Sequence, residues 1–460
     1  MIATTPLAAQ VTAWITTSDH ALRLAPVTVS PDVGNAAAVE IAIDSAIRHQ
    51  RIVGFGASVT DASAWLIQHR LDEAQRAALL RELFGRDGGI GLELTRLTIG
   101  ASDFSRTHYS LDDLAAGESD PQLRHFSIEA NRAEVLPVMR AALAVNPDLL
   151  VMASPWSAPA WMKTSGSLVG GSLKRRHYDA FARYLLRYVD EYAAAGVPIF
   201  ALTLQNEPSF EPADYPGMRL TARQRARLIG DHLGPRLEAR GGTPVLLEWD
   251  HNWDMPQEPL AVLGDERAAR HIAGVAWHCY GGDVSAQSFV REAHPDKDVY
   301  LTECSGGDWE PVKSGGLTLV TRDLIIRGTR HWARGVLFWN LALDQEHGPH
   351  LGGCGNCRGV VSIDAASGEV TRSDDYYALA HASRFVRRDA QRLGSSEAHA
   401  GIDNVAFRNA DDGSRVLIVS NSEPRMQRIR VREGATTFEH ALPPRSIATF
   451  VWPEATRAAP

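Results

Sequence analysis

The chain has 460 residues, 44% of them hydrophobic and 22% charged, the balance of a globular protein with a large buried core. A formal net charge of −8 without a long basic run excludes nucleic acid and anionic membrane as organising partners. No apolar run reaches membrane-spanning length, and the opening residues lack the basic start and long apolar centre of a secretory leader; this fits a cytoplasmic protein, or a secreted one whose leader has been removed.

In chain order, the first 45 residues carry two strand-like runs, TAWITT (12–17) and AVEIAI (38–43). Eight short apolar runs follow: 51–58, 92–100, 148–155, 199–208, 243–250, 273–280, 298–304 and 334–340. Helical periodicity lies between many of them, clearest at 72–84, at 176–196 with a glycine stop, and at 221–241. The basic cluster LKRRH (173–177) reads as the solvated start of the second of these helices. Strand and helix alternating eight times over about 300 residues predict a (β/α)8 TIM barrel. A doubly wound open sheet fits less well, because no GxGxxG follows the first strand. Residues 385–460 alternate apolar and polar positions between turn residues, as an antiparallel β domain does. The expected organisation is therefore N-terminal strands at 1–48, a catalytic barrel at 49–384, and C-terminal strands at 385–460, with both chain ends building one accessory antiparallel β-sandwich.

In a barrel, the C-terminal ends of the strands share the face that carries chemistry. Here those ends are polar or aromatic. The second strand contains Arg96 and is followed by Asp103. The third leads into Trp156 and Trp161, and the fourth ends on Asn206 and Glu207. The fifth ends on Glu248 and Asp250, the sixth on His278 and Tyr280, the seventh on Glu303, and the eighth on Trp339 and Asn340. A lone glutamate at a strand end is commonly a salt-bridge partner. Two of them facing one mouth among tryptophans are the equipment for cleaving a glycosidic bond, one acid protonating the leaving oxygen while the other attacks the anomeric carbon. Glu248 and Asp250 are rivals for either role, and Trp156, Trp161, His278 and Tyr280 could each be plain core residues. Of the four cysteines, Cys354 and Cys357 form a CGNC too isolated for zinc, leaving a local disulfide or two free thiols.

Seven motifs, in order, resemble glycoside hydrolase family thirty, the family of lysosomal glucosylceramidase: RIVGFGASVTDASAW, RLTIGASDFS, ASPWSAPAWMKT, LTLQNEPSF, WHCYGG, LTECSGG and FWNLALD. The resemblance runs from about residue 50 to about 380. It implies a barrel with a side sandwich and a retaining double displacement with no metal or other cofactor. It makes Glu207 the acid/base and Glu303 the nucleophile, with Asn206 binding the sugar 2-hydroxyl. Asp103, Trp156 and Trp339 would hold the glycone, Tyr280 and Arg96 would contact the nucleophile from beside His278, and Tyr215 would match a loop tyrosine one position out of register. Two departures bear on specificity: Phe338 stands where the lysosomal pattern has an acidic residue before the tryptophan, and the loop 346–361 resembles bacterial members. The expected activity is that of a glucosylceramidase-like β-glucosidase acting on a β-linked glycoside or glycolipid. A β-1,6-glucanase, β-xylosidase or β-fucosidase on the same scaffold is the alternative, and a non-catalytic sugar-binding protein the remaining one. In the free enzyme Glu303 is expected ionised and Glu207 protonated, with their carboxyl groups about 5–5.5 Å apart.

Overall fold

The structure is a computed structural model that describes residues 11–29, 38–309 and 316–454. The opening segment read above for a leader falls mostly on residues 1–10, outside the described residues. The chain forms two compact units. One comprises the described residues of 1–55, 308–334 and 372–460; the other comprises 56–307 and 335–371. No helix among the described residues is long and apolar enough to cross a membrane.

The first unit holds β1 (Thr12–Thr17), β2 (Ala25–Thr28) and β3 (Val39–Arg51) from the start of the chain. The second is built on a closed parallel barrel of eight strands in chain order: β4 (Gly54–Ser58), β5 (Leu94–Ile99), β6 (Leu150–Pro155), β7 (Ala201–Thr203), β8 (Val245–Asn252), β9 (Ile272–His278), β10 (Asp298–Glu303) and β11 (Ala333–Asn340). Buried on both faces, these strands read as continuous apolar runs. Gly56 on β4 is required by close approach, since a Cβ there would lie 1.6 Å from the Leu94 carbonyl oxygen of β5.

The helices follow the sequence signals. Thr60 caps α1 (Asp61–His69), and Asp72 with Gln75 forms a capping box on α2 (Glu73–Phe84). After α3 (Val135–Val145), α4 (Tyr178–Ala194) opens from a single 3-10 turn, Arg175–His177, in the basic cluster, and is followed by Gly196 with φ +85°. The helix expected over 221–241 is interrupted. A capping box of Thr221 and Gln224 starts α5 (Ala222–Leu228), a π-helical turn covers Ile229–Leu233, and an α-helix resumes at Gly234–Ala239. Pro235 lies at the start of the resumed helix and has no N–H to give to the preceding turn.

A short sheet of β12 (Ala342–Leu343), β13 (Val361–Ile363) and β14 (Val370–Arg372) follows the barrel. The first unit is completed by β15 (Gln391–Ser395), β16 (Ile402–Arg408), β17 (Arg415–Asn421), β18 (Gln427–Glu433), β19 (Thr436–Leu442) and β20 (Ser446–Trp452). Strands from both chain ends interleave in the order β19-β18-β3-β15-β16-β17-β20-β1-β2. The shared core includes Ile15, Ile41, Leu417, Val431, Phe438 and Phe450. The sandwich is not purely antiparallel: β3 runs parallel to β18, from Val39 opposite Ile429 to Ala42 opposite Arg432.

Candidate active site

The C-terminal ends of the barrel strands bring together Arg96, Asn206, Glu207, Asp250, His278, Tyr280 and Glu303. Arg96, fully buried on β5, donates from Nη1 to Glu303 Oε2 at 2.6 Å. Its Nη2 donates to Asn206 Oδ1 at 2.7 Å and to Asp250 Oδ2 at 2.8 Å. Tyr280 donates its hydroxyl to Glu303 Oε1 at 3.0 Å. His278 Nδ1 faces Glu207 Oε1 at 3.2 Å and Glu303 Oε1 at 3.9 Å, while its Nε2 faces Asp250 Oδ1 at 3.1 Å. A carboxylate oxygen of Glu207, one of Glu303 and a ring nitrogen of His278 all lie within 4.8 Å of one another. The two glutamates therefore share one small site with His278.

The two glutamates arrive differently. Glu303 is the last residue of β10, in strand conformation. Glu207 was expected at the end of the fourth strand, but β7 stops at Thr203 and Glu207 lies beyond it with φ +49°. A left-handed residue followed by Pro208 cannot continue a pleat. Its N–H donates instead to the Asp250 carbonyl at 3.0 Å. Tyr280 likewise lies past the end of its strand, which stops at His278.

The fifth strand separates the two rival acids. Glu248 and Asp250 are two residues apart and would share a face in a regular strand. Trp249 and Asp250 instead have φ of +77° and +61°, and the register against β9 slips between Trp249 and His251. This bulge puts the two acids in different surroundings. Glu248 pairs with Arg225 of α5 at 2.8 Å, away from the cluster, and Asp250 joins it.

Trp156 and Trp339 stack with ring centroids 5.0 Å apart and planes 18° apart, and the Arg96 guanidinium lies 4.8 Å and 5.5 Å from their centroids. Phe104, Cys357, Tyr215 and Cys354 pack in the same cluster. Trp161 belongs to packing: its indole N–H donates to Asp112 and its ring meets His177 edge-on. Phe338 is buried next to Trp339 on β11, and strand alternation sends it to the opposite face from Trp339, so the departure at this position is not on the tryptophan wall. The loop 346–361 does border Asp103. The Leu351 N–H donates to the Asp103 carbonyl at 2.8 Å, and Gly353, with φ +67°, approaches so closely that a Cβ would lie 2.5 Å from the Asp103 Cβ. Cys354 and Cys357 are paired as a disulfide in this loop. A second pair, Cys279 with Cys304, follows His278 and Glu303 directly in sequence and was not anticipated.

Charge in the site is unevenly held. For Asp103, burial and then the negative charges of Glu303 and Glu207 push the carboxyl well above its ordinary value. Burial and the charge of Glu303 do the same to the Tyr280 hydroxyl, although the residue as a whole is 45% exposed. Burial and Asp103 raise the Tyr215 phenol. Burial opposes the His278 cation, but Glu303, Asp250 and Glu207 overcome it and push the imidazole up to about 9. Burial also opposes a charge on Glu207, yet the His278 hydrogen bond and the potential of His251 hold it below its ordinary value. Glu303 is raised by burial and by Glu207, against His278 and Arg96. These directions favour the charged form of Glu207 and the protonated form of His278, where a protonated Glu207 beside an ionised Glu303 was expected.

Several supporting residues went unnoticed in sequence. His251 Nε2 lies 3.8 Å from Glu207 Oε1, and Gln205 donates to the Trp156 carbonyl at 2.7 Å. Buried Lys163 donates to Ser157 Oγ and to the Leu168 and Gly217 carbonyls at 2.6–2.7 Å, tying the loop after Trp156 to the one carrying Tyr215. Ser154, Thr203 and Thr302 all donate to Asp250. The only signal for these three was a small hydroxyl residue within the third, fourth and seventh apolar runs.

Comparison with known proteins agrees with this architecture. The model of the glycosyl hydrolase family 30 TIM-barrel domain matches residues 52–386, and that of the family 30 beta sandwich domain matches 389–450. An endo-1,6-beta-D-glucanase of Neurospora crassa is 35% identical over 81% of this chain and 79% of its own. One of Aspergillus fumigatus is 32% identical over 94% and 91%. A glucosylceramidase-named protein of Caenorhabditis elegans is 29% identical over 90% and 82%. A solved endo-beta1,6-glucanase superposes with a TM-score of 0.89 at 28% identity, covering 97% of this chain and all of that one. The chain belongs to glycosyl hydrolase family 30 and is a retaining O-glycoside hydrolase.

Proposed function

We infer that the protein cleaves β-1,6-linked glucan within the chain, with Glu303 as nucleophile and Glu207 as acid/base. The observation that carries the substrate is the likeness, across barrel and sandwich together, to proteins named as endo-1,6-β-glucanases. The glucosylceramidase-like expectation gives way to this reading, since the relative named for that activity is less similar over a comparable span. The geometry supports the chemistry. Glu303, gripped by Arg96 and Tyr280, is placed to attack the anomeric carbon, and Glu207, less than 5 Å away, to protonate the leaving oxygen and later to activate water. Asn206 spends its Oδ1 on Arg96, which leaves its amide N–H groups for the sugar 2-hydroxyl. The stacked Trp156–Trp339 pair offers a wall for the glycone, and Asp103, buried near both glutamates, a hydrogen-bonding partner for ring hydroxyls.

The test is hydrolysis of a linear β-1,6-glucan beside glucosylceramide and aryl β-glucoside, xyloside, galactoside and fucoside, with Glu303→Gln as blank. Oligosaccharides from the glucan, absent with the blank, support the reading. An inert glucan with rapid turnover of glucosylceramide or of another glycoside overturns the substrate assignment. Activity retained by the blank overturns the nucleophile.

A further inference from the structure

Asp250 has a place in the site that neither catalytic carboxylate explains. It is fully buried at the bulge on β8, and its two oxygens accept donors from five other barrel strands. Oδ2 accepts from Arg96 of β5 at 2.8 Å, from Ser154 of β6, and from Thr203 of β7 at 2.6 Å. Oδ1 accepts from His278 of β9 at 3.1 Å and from Thr302 of β10 at 2.7 Å. Its main-chain carbonyl receives the Glu207 N–H. Arg96 continues to Glu303, and His278 continues to Glu207.

Resting on the assignment of Glu303 as nucleophile and Glu207 as acid/base, we propose that Asp250 is the positioning residue that joins the two, fixing Glu303 through Arg96 and Glu207 through His278, and that its charge keeps the acid's proton in the site. Two consequences follow from the geometry. With its Nε2–H committed to Asp250, the imidazole can exchange a proton with Glu207 only at Nδ1, so the tautomer is set. Asp250 also decides the charge balance of the cluster. Leaving out the proton that His278 and Glu207 share, Arg96 is one cation against the three carboxylates Asp250, Glu207 and Glu303. The two negative charges in excess hold that shared proton in the cluster, and general acid catalysis needs it. With a neutral residue at 250 one negative charge is in excess, and the proton is held less tightly.

The other ionisable groups close to the two glutamates are His251 on the same strand as Asp250, Tyr280 above Glu303, and Asp103 and Tyr215, both of which feel the charges of Glu207 and Glu303. Glu248 is engaged by Arg225. Burial opposes the charge on Asp250, but Arg96 and His278 hold its carboxyl far below the ordinary range, so it stays ionised throughout the working pH range. The proton cycle is balanced. His278 Nδ1–H breaks as Glu207 O–H forms, Glu207 passes that proton to the departing oxygen, and after water is deprotonated by Glu207 the proton returns to His278.

The test compares pH profiles of kcat/KM for Asp250→Asn, an isosteric loss of charge, using aryl β-glucosides with good and poor leaving groups or labelled β-1,6-gluco-oligosaccharides. Removing a negative charge next to both glutamates must move both limbs of the bell acidward, by at least about one pH unit for groups this close. The poor leaving group suffers at least about tenfold more than the good one, KM changes little, and azide does not rescue. Thr203→Val, which removes a donor and keeps the charge, leaves both limbs in place. His278→Asn cuts one arm and moves the basic limb alone. If Asp250→Asn keeps the wild-type limbs, or changes only KM, the proposal is wrong. If that variant does not fold, as read by circular dichroism, an unmoved basic limb in His278→Asn overturns it instead. Glu303→Gln and Glu207→Ala run alongside. Should Glu303→Gln stay active, the catalytic assignment itself fails; should it be dead, with Glu207→Ala rescued by azide while Asp250→Asn retains wild-type limbs, only the Asp250 proposal fails.

Discussion

The ends of β7 and β10 each deliver a glutamate to the same few ångströms, and they do it by opposite means. Glu303 is the last residue of a six-residue strand, in extended conformation although the register against β9 slips between Leu301 and Glu303, and is gripped by Arg96, a cation that never titrates in the working range, and by a tyrosine hydroxyl. Glu207 lies past a three-residue strand, in a left-handed conformation, against His278, a cation that can give its proton away. A nucleophile has to stay charged and aimed. An acid/base has to gain and lose a proton every cycle. The permanent cation beside the strand-borne glutamate and the titratable one beside the left-handed glutamate match those two demands.

The largest effect that sharpens this contrast is loss of the proposed nucleophile. Glu303→Gln should lower kcat on every substrate by at least about 10⁴-fold, as removal of a covalent nucleophile does elsewhere, without recovery in azide. Glu207→Ala should cost about 10²–10⁴-fold on glucan. It should spare the first step with a good leaving group and regain turnover when azide attacks the glycosyl-enzyme. Identical behaviour of the two variants would erase the distinction between the two strand ends.

The titratable cation also predicts a dependence of stability on pH. The His278 imidazole is raised in the folded protein to about 9 from an ordinary 6.5. Its contribution is therefore fully present below about pH 6.5 and is lost as the pH rises through about 9, a change on the order of 3 kcal/mol for a fully buried group. Thermal unfolding should show Tm falling across that window, and His278→Asn should flatten the fall. An equal slope in both proteins would mean that the imidazole carries no extra proton on folding. A smaller effect is expected at the loop bordering Asp103. Gly353→Ala, strained by its positive φ and by the approach to Asp103, should cost about 1–2 kcal/mol of stability and raise KM more than it lowers kcat.

Much of the architecture was legible because its causes are local. Apolar runs of strand length alternate with capped amphipathic helices, and acids placed where those runs end announce a polar mouth. Glu207, Glu303, Arg96, His278 and Tyr280 are brought together where the barrel geometry required. What stayed hidden depends on backbone departures from regular repeats. Alternation puts Glu248 and Asp250 on one face, and only the bulge at Trp249 and Asp250 shows that one is salt-bridged and the other is the hub of the site. The early stop of β7 is invisible in an apolar run that continues to Leu204. The pairing of Cys279 with Cys304 depends on which strands become neighbours, information that four scattered cysteines do not carry. The partner of Glu207 was hidden for a related reason: whether His278 stands beside it or is a plain core histidine depends on distances between strands.

The most direct measurement is the anomeric form and length of the first products from a linear β-1,6-glucan, followed by proton NMR before mutarotation and by chromatography. A retaining endo-glucanase built on Glu207 and Glu303 releases oligosaccharides of mixed length in the β configuration. Products that appear first as the α anomer, or glucose released alone from the chain end, would contradict it.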